Sequence, residues 1–99
     1  MIHVLAIITA KPNKRDALLE IFKGIVPAVH AEAGCIEYGP AIDVAGAEPA
    51  LGPDTFVVIE KWESMAALQA HAVAPHMVAY AEKTGDLVAK RAVHVLTPA

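Results

Sequence analysis

Five side chains in an otherwise alanine-rich sequence are of the types that acid–base and aromatic-ligand chemistry requires: Tyr38, Glu60, Trp62, His71 and His76. Trp62 is the only tryptophan, and it ends an apolar run just ahead of a segment that carries two histidines. An imidazole titrates near pH ~6.5 when unperturbed, so His71 or His76 suits the role of general base. Trp62 offers a ring face and an indole N–H donor, and Tyr38 a phenol that can anchor a substrate oxygen. Glu60 can orient a histidine or hold a proton, depending on its burial. Each residue also has a plainer use. The aromatics can be core or interface residues, the histidines can cap helices, and a carboxylate near a strand end can pair with a lysine. His71 and His76 are five positions apart with Pro75 between them, so they do not share the face of an i, i+4 metal-binding pair, and no metal is expected. His3 near the start and His94 near the end are further candidates to face a cavity, whereas His30 reads as a helix-end residue.

Composition narrows the function classes. Ninety-nine residues make a single domain, 1–99, close to the size at which one core becomes self-sufficient. The apolar share of 56% exceeds what one small core can bury, even though 20 alanines contribute to it, so a homo-oligomer is expected. A net charge of −3 without a basic cluster argues against nucleic-acid binding. One cysteine, Cys35, cannot form an internal disulfide, and neither a signal-peptide pattern nor an apolar run of roughly 20 residues is present. The expectation is a soluble, cytoplasmic protein with no membrane partner.

The elements that must position these residues follow from periodicity. Ile2 to Thr9 is rich in Ile, Val and Leu on both faces, the pattern of a strand covered on both sides. A helix is predicted from about Lys14 to Ala33, with Leu18, Phe22, Val26 and Val29 on one side, a kink or loosened turn at Pro27, and Gly34 as its left-handed stop. Cys35 to Val44 reads as a strand, and Pro40 assigns it to an edge or a bulge. Ala45 to Asp54 is a loop, and Thr55 to Trp62 is the clearest strand, with Phe56, Val58, Glu60 and Trp62 sharing a face. Ser64 caps a helix to about Ala74, Pro75 separates it from a short helix over His76 to Lys83, and a last strand spans Leu87 to Leu96.

The resulting βαββαβ order folds most simply as an α+β, ferredoxin-like split sheet with its helices on one face. The other face would be bare, yet its strands carry apolar residues. Two such sheets packed face to face would bury it, which predicts a homodimer.

EAGCIEY at 32–38, VVIEKWES at 57–64 and HAVAPH at 71–76 resemble, in order and spacing, the motifs of the antibiotic biosynthesis monooxygenase family. The resemblance implies a dimeric α+β barrel of ferredoxin-like subunits. It further implies a cofactor-free oxygenase acting with O2 on quinols, anthrones or related phenols. From the residue types themselves, His71, His76 and Trp62 are expected in catalysis and Tyr38, Glu60 and His3 around the substrate. A related branch degrades haem with an asparagine on the first strand. Here that stretch reads HVLAII, with Leu5 near the asparagine position, which disfavours haem chemistry and counts Leu5 among the substrate contacts.

Oxygen chemistry without a cofactor makes few demands on a protein. O2 reacts slowly with closed-shell molecules because the reaction is spin-forbidden, but an electron-rich phenolate or enolate can give up one electron and form a radical pair that recombines. The site then needs a base, an anion-stabilising donor and a dry cavity. Three alternatives use the same residues: a non-catalytic module that binds an aromatic metabolite, a haem-binding protein, and an oxygen-independent isomerase or decarboxylase.

Overall fold

The computed structural model describes residues 1–99. Four strands, β1 (Ile2–Ala10), β2 (Cys35–Ala41), β3 (Thr55–Trp62) and β4 (Val88–Leu96), form one antiparallel sheet in the order β2-β3-β1-β4. Three helices, α1 (Arg15–His30), α2 (Met65–Ala72) and α3 (Pro75–Thr84), complete the ferredoxin-like α+β fold. β1 and β2 run in the same direction with β3 inserted between them, which is the split arrangement that the element order requires.

Strand parity divides the sheet into two surfaces. On β1, Val4 and Ala6 are buried under the helices with Phe56, Val58 and Trp62 of β3 and with Leu18, Phe22 and Val29 of α1. Leu5 and Ile7, paired with Ile59 and Val57 and with His94 and Ala92, occupy the opposite face. That face is uncovered and apolar at its centre, with His3, Lys61 and His94 beside it: Leu5 and Ile59 are each 37% exposed and Leu96 is 44% exposed.

Local chemistry explains the element ends. Pro27 sits inside α1, and the helix continues for three residues past it. Pro27 lies on the exposed side near the helix end and costs a single hydrogen bond to a solvent-facing turn, and the chain after it leaves the helix through the Glu32 N–H to Val29 carbonyl bond. α1 stops at His30, not Ala33, and His30 Nε2 bonds the backbone oxygen of Tyr38 at 2.8 Å. Pro40 lies on the edge strand β2, whose pairing with β3 shifts register between Cys35 and Glu37. β2 also ends at Ala41, three residues before the expected Val44. The Ser64 hydroxyl caps α2 by accepting from the Ala67 N–H.

The turn from α1 to β2 presses on the start of α2. Gly34 adopts φ +85°, and its carbonyl accepts the Glu63 N–H at 2.9 Å. A Cβ at this position would stand 2.6 Å from Ala67 Cβ. Gly34→Ala therefore combines a left-handed backbone with a steric clash, and should lower stability by about 1–3 kcal/mol. A urea midpoint equal to that of the wild type would refute this.

Candidate active site

A cavity of about 380 Å3 lies between the inner face of the sheet and the helices, within the size range of small-molecule sites. Its floor is Val4, Ala6 and Ile8 of β1 and Val58 of β3, and its roof includes Leu68 of α2 and Met77 and Tyr80 of α3. Tyr38, Glu60, His71 and Arg91 add polar groups to the wall. Small side chains at Val4, Ala6 and Ala72 leave the space that longer ones would fill.

β2 and β3 deliver Tyr38 and Glu60 together, because the two are directly opposed in the antiparallel register. The Glu60 carboxyl is buried, and burial pushes it up from the usual carboxylate range, against the opposing pull of the Trp62 hydrogen bond and of nearby His71. Burial, then Glu60, pushes the Tyr38 phenol up, so Tyr38 remains a neutral O–H donor. The same two influences act on Cys35, where burial comes first and the carboxylates of Glu32 and Glu60 add to it, raising the thiol.

His71 is buried at the cavity wall, its ring 4.7 Å from that of Trp62 and 5.3 Å from that of Tyr38, centroid to centroid. Its Nδ1 lies 2.8 Å from Glu32 Oε2, and His76 Nε2 reaches the same oxygen at 2.7 Å. The helix break at Pro75 changes the direction of the chain between α2 and α3, so two histidines that could not share one helix face converge on one carboxylate. Glu32 occupies the turn after α1, where its N–H bonds the Val29 carbonyl and its own carbonyl accepts the Cys35 N–H.

The structure redistributes the sequence candidates. Tyr38, Glu60 and His71 line the cavity; Trp62 and His76 do not. Trp62 is fully buried, and its Nε1–H donates to Glu60 Oε1 at 2.9 Å, so the indole donor expected for a substrate is already engaged. Trp62 backs the site by fixing Glu60 and packing on His71. His3 and Leu5, read as substrate contacts, lie on the opposite face of the sheet, because β1 alternates and Val4 and Ala6 take the cavity side. His94, opposite Leu5, faces the same way. Glu32, Tyr80 and Arg91 were not singled out from the sequence. Glu32 sits in the EAGCIEY motif, but a helix predicted to Ala33 hides it as a surface helical residue.

Glu32, His71 and His76 bring three ligand-type atoms within 4.8 Å of one another. The two N···O separations of 2.7 and 2.8 Å are hydrogen-bond lengths, whereas ligands around a tetrahedral metal at ~2.0–2.1 Å stand roughly 3.3 Å apart. In this arrangement the three side chains are joined by hydrogen bonds through Glu32 Oε2.

The chain matches the antibiotic biosynthesis monooxygenase family over residues 1–83. It is 40% identical over 102 residues to "Probable quinol monooxygenase YgiN" of Escherichia coli K12, a match that covers 99% of this chain and 98% of the relative. Among solved structures it is similar to PA3566 from Pseudomonas aeruginosa, with a TM-score of 0.85 and 26% identity over 99% of this chain and 93% of the other. The structure of Rv0793 from Mycobacterium tuberculosis matches with a TM-score of 0.82 and 28% identity, over 99% of this chain and 94% of that one.

Because its carboxyl is raised by burial, Glu60 binds a proton more readily in the folded than in the unfolded chain. The stability it contributes is then full below the ordinary carboxylate value of about 4.3 and is lost as pH rises through the raised native value. Glu60→Gln can still accept the Trp62 N–H and removes this loss. Between about pH 4 and neutrality, wild type should lose stability relative to Glu60→Gln in denaturant titrations. A difference of the opposite sign would contradict the assignment.

Proposed function

The chain belongs to the antibiotic biosynthesis monooxygenase family, and we propose that it is a cofactor-independent monooxygenase that oxidises a quinol-like or polyphenolic substrate with O2. One observation carries this reading: an apolar cavity holds an imidazole, a neutral phenol and a buried carboxyl on one wall, His71, Tyr38 and Glu60. The name of the Escherichia coli relative points the substrate class toward quinols.

His71 accepts the proton of a substrate hydroxyl, leaving an electron-rich phenolate in a water-poor cavity. The Tyr38 O–H is a donor for the resulting oxyanion, and Arg91 at the wall adds positive charge. The phenolate passes one electron to O2, and the substrate radical and superoxide combine through a new C–O bond. His71 returns the proton to the peroxide, and loss of the C–H proton from the carbon that carries it, with cleavage of the O–O bond, leaves one oxygen atom in a quinone-type product and the other in water. Both electrons that reduce the second oxygen atom come from the substrate itself, so the reaction balances without an added reductant.

The uncovered sheet face supports a homodimer. Leu5, Ile7, Val57 and Ile59 form a continuous apolar band on it, and a second copy packed there would remove that band from water. No helix is long and apolar enough to cross a membrane, and the lone thiol of Cys35 fits the reducing cytoplasm.

Metal-free protein should accelerate oxygen uptake with hydroquinones, naphthohydroquinones or anthrones, and the rate should survive dialysis against chelator. His71→Ala should lower kcat by about 10²–10⁴-fold, with His76→Ala clearly less affected. Uptake no faster than autoxidation across the panel would sink the oxygenase reading and favour a binding module. Leu5→Glu combined with Ile59→Glu should give a monomer by sedimentation; an unchanged oligomer would place the interface elsewhere.

A further inference from the structure

We propose that Glu32 is the positioning residue of the site: it holds His71 in the Nδ1–H tautomer, leaving Nε2 as the proton acceptor for the cavity, while His76 holds Glu32. This inference rests on His71 as the base and adds a residue that neither the sequence motifs nor the cavity wall single out.

The argument is one of donors and acceptors. A carboxylate only accepts hydrogen bonds, so the 2.8 Å contact between Glu32 Oε2 and His71 Nδ1 requires the proton on Nδ1. A neutral imidazole carries one N–H, and Nε2 is therefore the free lone pair. The ring packs between Trp62 and Tyr38, and this packing opposes a turn that would exchange the two nitrogens. When His71 takes a substrate proton, the imidazolium forms in contact with the Glu32 negative charge, which stabilises it without itself being protonated.

His76 completes the device from the solvent side. The side-chain exposures of His71, Glu32 and His76 rise from 7% to 13% to 29%, so the contact runs outward from the cavity wall. His76 Nε2 donates to the same Glu32 oxygen and fixes the carboxylate between α2 and α3. This accounts for two histidines at a site that needs one base. His76 shares the acceptor of His71 and lies off the cavity wall, which makes it a support for Glu32.

The tautomer can be read directly by two-bond 1H–15N correlation on protein with 15N-labelled histidine, at a pH above the ordinary imidazole value of ~6.5. Wild type should show His71 protonated at Nδ1. Glu32→Ala should convert it to the commoner Nε2–H form and lower kcat by roughly 100-fold with little change in KM. Glu32→Gln, whose amide oxygen can accept both bonds, should keep the Nδ1–H tautomer and the fold while still lowering kcat, because the charge is gone. A wild-type His71 protonated at Nε2, or a Glu32→Ala protein with unchanged tautomer and kcat, would overturn the proposal. If Glu32→Ala does not fold, Glu32→Gln decides, since unchanged kcat there would refute the charge role. The tautomer is read without substrate, so a lack of oxygen uptake would count against the oxygenase reading and leave the positioning of His71 to be judged on its own.

Discussion

One carboxylate oxygen joins the turn after α1 to two helices whose histidines lie 39 and 44 residues further along the chain. Glu32 Oε2 takes a hydrogen bond from the last turn of α2 and another from the first turn of α3. Charge-assisted hydrogen bonds of this kind are each worth on the order of 1.5–3 kcal/mol, and an anion left buried without them would cost more. The α2–α3 corner at Pro75 therefore has a defined angle, set by the need of both imidazoles to reach one acceptor. The position of the cavity roof follows from that angle.

Glu32 is itself held by backbone geometry. Its turn is fixed by hydrogen bonds to Val29 and Cys35, and Gly34 lets the turn come close enough to α2 for the carboxylate to reach His71. Below this layer the strands act with less freedom. The register that sets Tyr38 against Glu60 also places Trp62 two residues on, where its indole can hold Glu60 and its ring can wall in His71. His71 and Glu60, which face the cavity, are each restrained by a side chain that does not, Glu32 and Trp62. Such pre-organisation is what the proposed cofactor-free oxygenase chemistry would depend on, since the protein would itself have to supply proton transfer and anion stabilisation.

Most of the fold is legible in the sequence, because its signals are local. Thr55–Trp62 has the boundaries that alternation and its flanks predict, Ser64 caps α2, Pro40 marks an edge strand, and Gly34 has the left-handed backbone expected of a stop. The site is less legible, for two physical reasons. Both faces of β1 are apolar, so alternation divides its residues into two sets without saying which set faces the helices, and His3 and Leu5 fall in the set that does not. The second reason is that Glu32 acts through tertiary convergence. Its partners lie 39 and 44 residues away on two helices, and no spacing rule within one element connects them. Trp62 shows a milder form of the same problem, since its donor is used by a neighbour two residues earlier on its own strand.

Cys35 gives the arrangement a chemical side effect. The quinones that such a site would release are electrophiles, and they add to thiolates far faster than to thiols. Burial, and after it the carboxylates of Glu32 and Glu60, push the Cys35 thiol up and so reduce its thiolate fraction further. The surroundings that hold Glu32 and Glu60 at the site thus also blunt the only thiol of the chain, which would make the protein slower to be alkylated by a quinone released there.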